Sequence, residues 1–389
     1  MYKSDINTSM MTRTYKFRLY PTGKQKKLLD NSLETCRIVY NKVLETRKVA
    51  YETEKKSITK FDCNKLITKW KESDERIKSI HSQVLQNVSE RVDLAYRGFF
   101  QRVKRQGEQA GYPRFKGYGR YDSMSFPGTG YKVINHELIS ISKVGKIKVK
   151  IHRTIDGEIK RLILKKEAGK WFACIQIEKE DYDTIERNKP VGIDLGVSSF
   201  LTTSDNTKVE NPKYFHKSKL KLAKIQRKYS KLKDLPKDDK KKCKVRSILQ
   251  KIHCTIKNQR KDFLHKLSRS IVNEYSHICV EDLNIKKMLK EGFTTLARHI
   301  SDCGWGDFLN MLNYKAVEAG SQIIYVNPAY TSQKCSKCGM IIKKELSDRV
   351  HKCNACGIEL DRDYNASLNI LRVGMDSLST KTALEAHSL

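Results

Sequence analysis

The stretch PVGIDLGVSSFLTTS, residues 190–204, decides the fold of this 389-residue chain: it reads as a strand, a turn and a second strand, with Asp194 near the end of the first. Working outward toward the C-terminus, a lysine-rich helical stretch spans Ser218 to Ser276 and breaks near Pro236. Its second part sets Val245, Ile248, Leu249, Ile252, Ile256, Phe263, Leu264, Leu267 and Ile271 on one face. HICVEDLNI (277–285) follows as a buried strand. A helix then runs through Trp305, Phe308, Leu309 and Leu312 to Gly320, and QIIYVNP (322–328) is one more strand. Strands alternating with helices predict an α/β sheet. A short helix is expected over Tyr364 to Val373, with a loose tail after Gly374.

Toward the N-terminus the texture differs. Lys146–Ile151, Arg161–Lys165 and Trp171–Ile177 are short alternating segments, suited to a small barrel or sheet. Thr14–Tyr20 is an isolated strand that can complete it. Between them lies an expected helical insertion, from about Gly23 to Gln109. The fold class is therefore multidomain α/β plus β-barrel. At GYPRFKGYGR (111–120), Tyr112, Phe115 and Tyr118 interleave with Arg114, Lys116 and Arg120. Aromatic faces can stack bases while cations hold phosphates, but the same pattern also suits a loop with anchoring aromatics.

Charge narrows the partner class. Lys and Arg number 77 against 44 Asp and Glu, a net charge of +33. Self-repulsion of that size calls for a polyanion, and nucleic acid is the natural one. No apolar run approaches the roughly 18 residues of a spanning helix, so no membrane partner is expected. Eleven cysteines without a regular disulfide spacing point to a reducing, cytoplasmic setting, and the nucleic-acid partner to association with the nucleoid.

Two constellations carry chemistry. Cys335, Cys338, Cys353 and Cys356 form two CxxC pairs, each followed by glycine. Four thiolates close a tetrahedral site around one structural Zn²⁺ with no open position; the competing readings are a redox pair or unrelated thiols. The second constellation is Asp194 in GIDLG, Glu281 in CVEDLN and Asp363 in LDRDYNAS, acids from three distant segments. Carboxylates at strand ends are where an open α/β sheet places its site, and three of them can hold two Mg²⁺ ions for phosphodiester hydrolysis. An Asp beside Gly is also a common turn residue, and Asp282 and Asp361 are neighbours that can be mistaken for ligands.

The motifs PVGIDLGV, NQRKDFLHKLS, VEDLN, GWGDFLNMLNYKA, PAYTSQKCSKCG, HKCNACG and LDRDYNASLNI, in that order over residues 15 to 373, resemble the TnpB family, the OrfB proteins of insertion sequences. They are similar, more distantly, to the miniature type V CRISPR effectors. YKFRLYPTGKQKKLLD and GYPRFKG match more loosely, and Ser367 stands where the family usually has Ala. The resemblance implies an RNA-guided DNA endonuclease with a RuvC, RNase H-like core and an inserted zinc ribbon. It implies a wedge-type oligonucleotide-binding barrel (11–20 and 111–185), a helical recognition lobe (21–110), the nuclease core (188–327 and 361–374), the ribbon (328–360) and a tail (375–389). It makes Asp194, Glu281 and Asp363 the catalytic metal ligands and suggests a nucleic-acid contact at Arg349; the helical lobe near Gln86 is a further candidate for such contacts. Partners would be a guide RNA from the transposon end and double-stranded target DNA, with the protein a monomer or weak dimer. A guided repressor that does not cut, a transposase and a CRISPR effector are the alternatives; the presence of all three acids weighs against the first.

Overall fold

The computed structural model describes residues 11–105, 110–179, 188–236, 239–291, 294–345 and 348–386. The chain divides into two compact units, Met1–Asp181 and Tyr182–Leu389.

The first unit opens with β1 (Met11–Tyr20). Four helices follow: α1 (Gly23–Glu54), α2 (Lys60–Ser73), α3 (Glu75–Lys78) and α4 (Ser82–Lys104). Thr22 starts α1 with a reciprocal capping box, its hydroxyl accepting from the Gln25 N–H while the Gln25 side chain accepts from the Thr22 N–H. Strands β2 (Ser123–Pro127), β3 (Tyr131–Val133), β4 (Leu138–Ile141), β5 (Gly145–Lys150), β6 (Glu158–Glu167) and β7 (Lys170–Lys179) complete the unit. They form one antiparallel, barrel-like sheet in the order β2-β6-β7-β1-β5-β4-β3. The first strand completes this sheet by joining its two halves: β1 pairs with β7 along most of its length and with β5 at its end. Period-two alternation fills the interior, with Trp171, Ala173, Ile175 and Ile177 of β7 buried beside Phe17 and Leu19 of β1. Gln109, where the helical segment was expected to end, and residues 180–185, at the expected end of the barrel, lie outside the described residues.

The second unit contains β8 (Pro190–Leu195), β9 (Ser199–Thr203), β10 (Lys208–Glu210), α5 (Tyr214–Ser230), α6 (Lys240–Glu274) and β11 (His277–Glu281). It continues through α7 (Ile285–Glu291), α8 (Thr294–Cys303), α9 (Trp305–Ala319), β12 (Gln322–Val326), β13 (Val350–Lys352), β14 (Glu359–Asp361) and α10 (Arg362–Ala386). The central sheet runs β10-β9-β8-β11-β12, antiparallel through the first three strands and parallel through the last three. Val191, Ile193, Ile278 and Val280 face the core shared with α6 and α9. Cys279 faces the other way, into a smaller core with Ile370 of α10.

Helix α10 corrects the expectation of a loose tail. It continues through Gly374 to Ala386, and Met375 and Leu378 pack against Ile324, Val326 and Ile370. The small residues around 374 resemble a helix terminus in sequence; tertiary burial of the next apolar turn overrides that signal.

Candidate metal centre and basic arm

Strand parity assembles the acid site. In β8 and β11 the odd and even positions face opposite sides, so Asp194 shares its side with Gly192, and Glu281 shares its side with Cys279: both face α10. The two strands are parallel neighbours with Ile193 opposite Val280, which makes Asp194 and Glu281 the next residues along, at the C-terminal edge. Asp363 arrives on the first turn of α10. This helix lies close on β8, since a Cβ at Gly192 would come within 2.1 Å of the Ser367 carbonyl oxygen.

The electrostatics register the convergence. Burial, then the negative charges of Glu281 and Asp363, push the Asp194 carboxyl up to about 8. Burial also raises Glu281, opposed by the hydroxyl of Thr331, which donates to Glu281 Oε1 at 2.6 Å. A buried carboxylate repelled by two neighbouring acids is a set of charges that a divalent cation could neutralise. Asp361 sits apart in role. Its Oδ1 accepts from the N–H groups of Asp363 and Tyr364, capping α10, and its Oδ2 pairs with Lys208 at 2.6 Å. Burial raises its carboxyl, but Lys208 and the capping N–H groups outweigh that and hold it below the ordinary range.

The four cysteines form a second site between β12 and α10. Cys335 and Cys353 each begin a knuckle: the Gly339 N–H donates to the Cys335 carbonyl and the Gly357 N–H to the Cys353 carbonyl. Both glycines have positive φ, 80° and 72°, which a knuckle turn needs and Gly supplies without strain. The sulfur pairs Cys335–Cys356 and Cys338–Cys353 are 3.7 and 3.5 Å apart. Zinc–sulfur bonds of ~2.3 Å at tetrahedral angles set edges of about 3.8 Å, so the four thiols fit one Zn²⁺. Among the described residues this is the one group of His, Cys, Asp and Glu whose donor atoms gather within 4.8 Å. The Cys356 backbone N–H, helped by that of Ala355, lowers Cys353 to about 6; at Cys335 burial works upward, but the Cys338 and Lys337 N–H groups bring it to about 7. Cys356 goes the other way: the Ile358 N–H works downward, but burial and hydrogen bonds with the other thiols push it up to about 12, so backbone donors favour the thiolate, the form that binds metal, at Cys353 and Cys335.

A basic arm projects from the acid edge. Helix α6 ends just before β11 and therefore runs back alongside the strands. Arg269 pairs with Glu318 near the end of α9, and Arg260 pairs with Asp302 just ahead of its start. Arg260 is thus level with the C-terminal edge of the sheet, and residues 240–259 extend ~30 Å beyond it. There α6 packs against α5 through Leu222, Ile252 and Ile256. The Asp302 carboxylate roots both helices, accepting from the Phe215 N–H and from Arg260. The arm holds no Asp or Glu from 211 to 233 or from 240 to 261, and Lys217, Lys219, Lys221, Lys224, Arg227 and Lys228 are exposed.

The other expected contacts are dispersed. Gln86 is exposed on α4. Tyr112 is partly an anchor: its hydroxyl meets that of Tyr96 at 2.7 Å and its ring packs edge-on against Phe99. Phe115 is exposed, and Arg114 and Lys116 line an open groove of about 530 Å³ with Tyr40, Arg102 and Tyr112. Arg120 is exposed nearby in sequence. Arg349 is exposed at the start of the β13–β14 hairpin, its carbonyl accepting from the N–H of Arg362, next to Asp363. Sequence reasoning missed Thr331, Asn365 and Asn369; the polar pair spaced four apart in NASLN was the available signal.

Three family models match successive parts of the chain. The OrfB_IS605 family model, described as "Probable transposase", matches residues 173–291; a "Cas12f1-like, TNB domain" matches 305–370 and a "Helix-turn-helix domain" 10–56. The last span holds β1 and one 32-residue helix here. The chain is 32% identical over 381 residues to the "Putative RNA-guided DNA endonuclease InsQ" of Escherichia coli K12, covering 93% of this chain and 92% of that protein. It is 30% identical to a similarly named protein of Streptomyces pristinaespiralis, covering 93% and 89%. In fold it is similar to a Cas12f1 chain solved by cryo-EM with sgRNA and target DNA, at TM-score 0.57 and 15% identity, covering 93% of this chain and 98% of that one.

Proposed function

Because the chain belongs to the TnpB family, the OrfB proteins of insertion sequences, we propose that it is a transposon-associated RNA-guided DNA endonuclease. The observation that carries the catalytic reading is the convergence of Asp194, Glu281 and Asp363, registered in the raised carboxyl of Asp194. We assign these acids to two Mg²⁺ ions in a RuvC-like, RNase H-type core. The chemistry that such ions would supply when bound is activation of water and neutralisation of charge at the phosphate. The chain's own part is to hold three carboxylates on one edge, with Asp361 kept out of the set by its cap and its lysine. Cys335, Cys338, Cys353 and Cys356 would hold a structural Zn²⁺ that closes the ribbon.

In this reading the barrel-like sheet is the wedge and α1–α4 the recognition lobe, with Gln86, Tyr112, Arg114, Phe115, Lys116, Arg120 and Arg349 as contacts to nucleic acid. Guide RNA pairs with the target strand and supplies sequence, while the protein reads shape and a short flanking motif. A +33 chain exceeds what about 6–10 phosphates of a single duplex site neutralise, which supports a long RNA partner as well. Plasmid cleavage tests this: guide-loaded protein should cut at the guide's target, and an exchanged guide segment should redirect the cut. Site-specific cutting by protein stripped of RNA would overturn the guided reading.

A further inference from the structure

The contacts around Glu281 reach into the cysteine segment, and they give that segment a part in the acid site. After β12, the backbone turns back at Tyr330, whose φ of +63° lies in the left-handed region that a bulky residue enters only when its surroundings compel it. Thr331 follows. It is buried, four residues before Cys335, and its hydroxyl lies 2.6 Å from Glu281 Oε1. The same oxygen is 3.1 Å from the Pro328 carbonyl, so its one proton has two acceptors, of which the carboxylate is nearer and charged.

Helix α10 grips the same segment from the other side. Buried Asn369 donates through Nδ2 to the carbonyls of Thr331 (2.9 Å) and Lys334 (2.6 Å). Buried Asn365 donates to the Lys334 carbonyl at 2.8 Å and accepts from the Ser336 N–H at 2.9 Å. Arg372 donates to the Ser336 carbonyl and to Asn369 Oδ1. Positions 365, 369 and 372 share one face of the helix whose first turn holds Asp363. One six-residue stretch, 331–336, therefore touches the second acid through Thr331, is clamped to the helix of the third acid, and carries the first zinc thiol.

We infer that Thr331 is a positioning residue for Glu281, and that Asn365 and Asn369 make the cysteine ribbon and the acid site one mechanical unit. This rests on the metal-site reading of the three acids. Thr331 takes up one lone pair of the carboxylate and restrains its rotation, so that Oε2 would be the oxygen offered to a metal. Partners behind a ligand typically alter metal affinity or activity by about 10–100-fold when removed.

The test uses the full chain loaded with its guide RNA. Thr331→Val removes the hydroxyl at nearly constant volume; Thr331→Ser keeps it. Zinc content, DNA binding, Mn²⁺ affinity by electron paramagnetic resonance and the cleavage rate at saturating DNA are read together. Thr331→Val is expected to keep zinc and DNA binding, to weaken Mn²⁺ binding or slow cleavage by about 10–100-fold, and Thr331→Ser to recover to within a few-fold of wild type. Unchanged Mn²⁺ affinity and rate in Thr331→Val would overturn the assignment, as would a Ser variant no better than Val. Mn²⁺ binding is read without cleavage. A wild type that binds Mn²⁺ but never cuts would therefore count against the nuclease reading alone, and the Val–Ser contrast in Mn²⁺ affinity would still decide the role of Thr331.

Discussion

Gly192 of β8 lies directly beneath Ser367 of α10: a methyl group on residue 192 would stand 2.1 Å from the Ser367 carbonyl oxygen and 2.6 Å from the Leu371 nitrogen. Both obstacles are backbone, so neither can swing aside. Gly192→Ala should force α10 away from the sheet, costing at least the ~1–3 kcal/mol of an overpacked core. It should also carry Asp363 away from Asp194. Thermal unfolding and cleavage should both suffer while zinc stays bound; an alanine variant as stable and active as wild type would contradict the close packing.

The acids should separate cleanly from their neighbour. Asp194→Ala, Glu281→Ala and Asp363→Ala should each lower cleavage by more than the roughly 100-fold upper range of a supporting residue, with guided DNA binding nearly intact. Asp361→Ala removes a helix cap and the partner of Lys208, and should cost about 1 kcal/mol of stability with a smaller loss of rate. A gel-shift and a cleavage time course on the four variants check this; Asp361→Ala inactive beside an active Asp363→Ala would reverse the ligand assignment.

Protonation of Asp194 makes the stability of the metal-free protein depend on pH. Its carboxyl titrates near 8 when folded and near ~3.9 when unfolded, so its favourable contribution is complete below about pH 4 and is lost as pH rises through 8. Wild type should lose stability relative to Asp194→Asn between pH 5 and 9 in the presence of a chelator. Added Mg²⁺ should stabilise wild type more at pH 8.5 than at pH 6. Parallel pH dependences of the two proteins would mean that the folded protein does not hold the Asp194 carboxyl above the ordinary carboxylate range.

Zinc should be found at one ion per chain. Cys353→Ser leaves three thiolates, which cannot close the tetrahedron, so elemental analysis should show loss of the ion and proteolysis should open the 328–360 segment. Native protein free of zinc would rule the site out.

The arm makes a prediction about salt. Replacing Lys217, Lys221, Lys224 and Lys228 with Gln removes four exposed charges without touching the acids or the α5–α6 contact. If all four meet duplex phosphates, the slope of log affinity against log salt should fall by about 0.9 for each, some 3.6 in all. A slope unchanged from wild type would mean the arm is only a solvated surface.

What was legible in the sequence was what local pattern encodes. The strands at 190–204 and 277–281 follow from clusters of β-branched residues, and the four-thiol site from two CxxC–Gly knuckles. Asp194 and Glu281 stood out because a strand end is recognisable along the chain. What the sequence left open depends on contacts between distant segments. The continuation of α10 past Gly374 rests on burial of Met375 and Leu378 against β12, which outweighs a local pattern that reads as an ending. The separation of Asp363 from Asp361 rests on where Lys208 lies, 153 residues earlier. Thr331 reads as an ordinary polar residue until the turn at Tyr330 brings it over Glu281. Composition and spacing determined which residues are able to bind metal and phosphate; only the tertiary structure decided which oxygen faces which, because a hydrogen bond depends on ångström distances between groups that the chain brings together late.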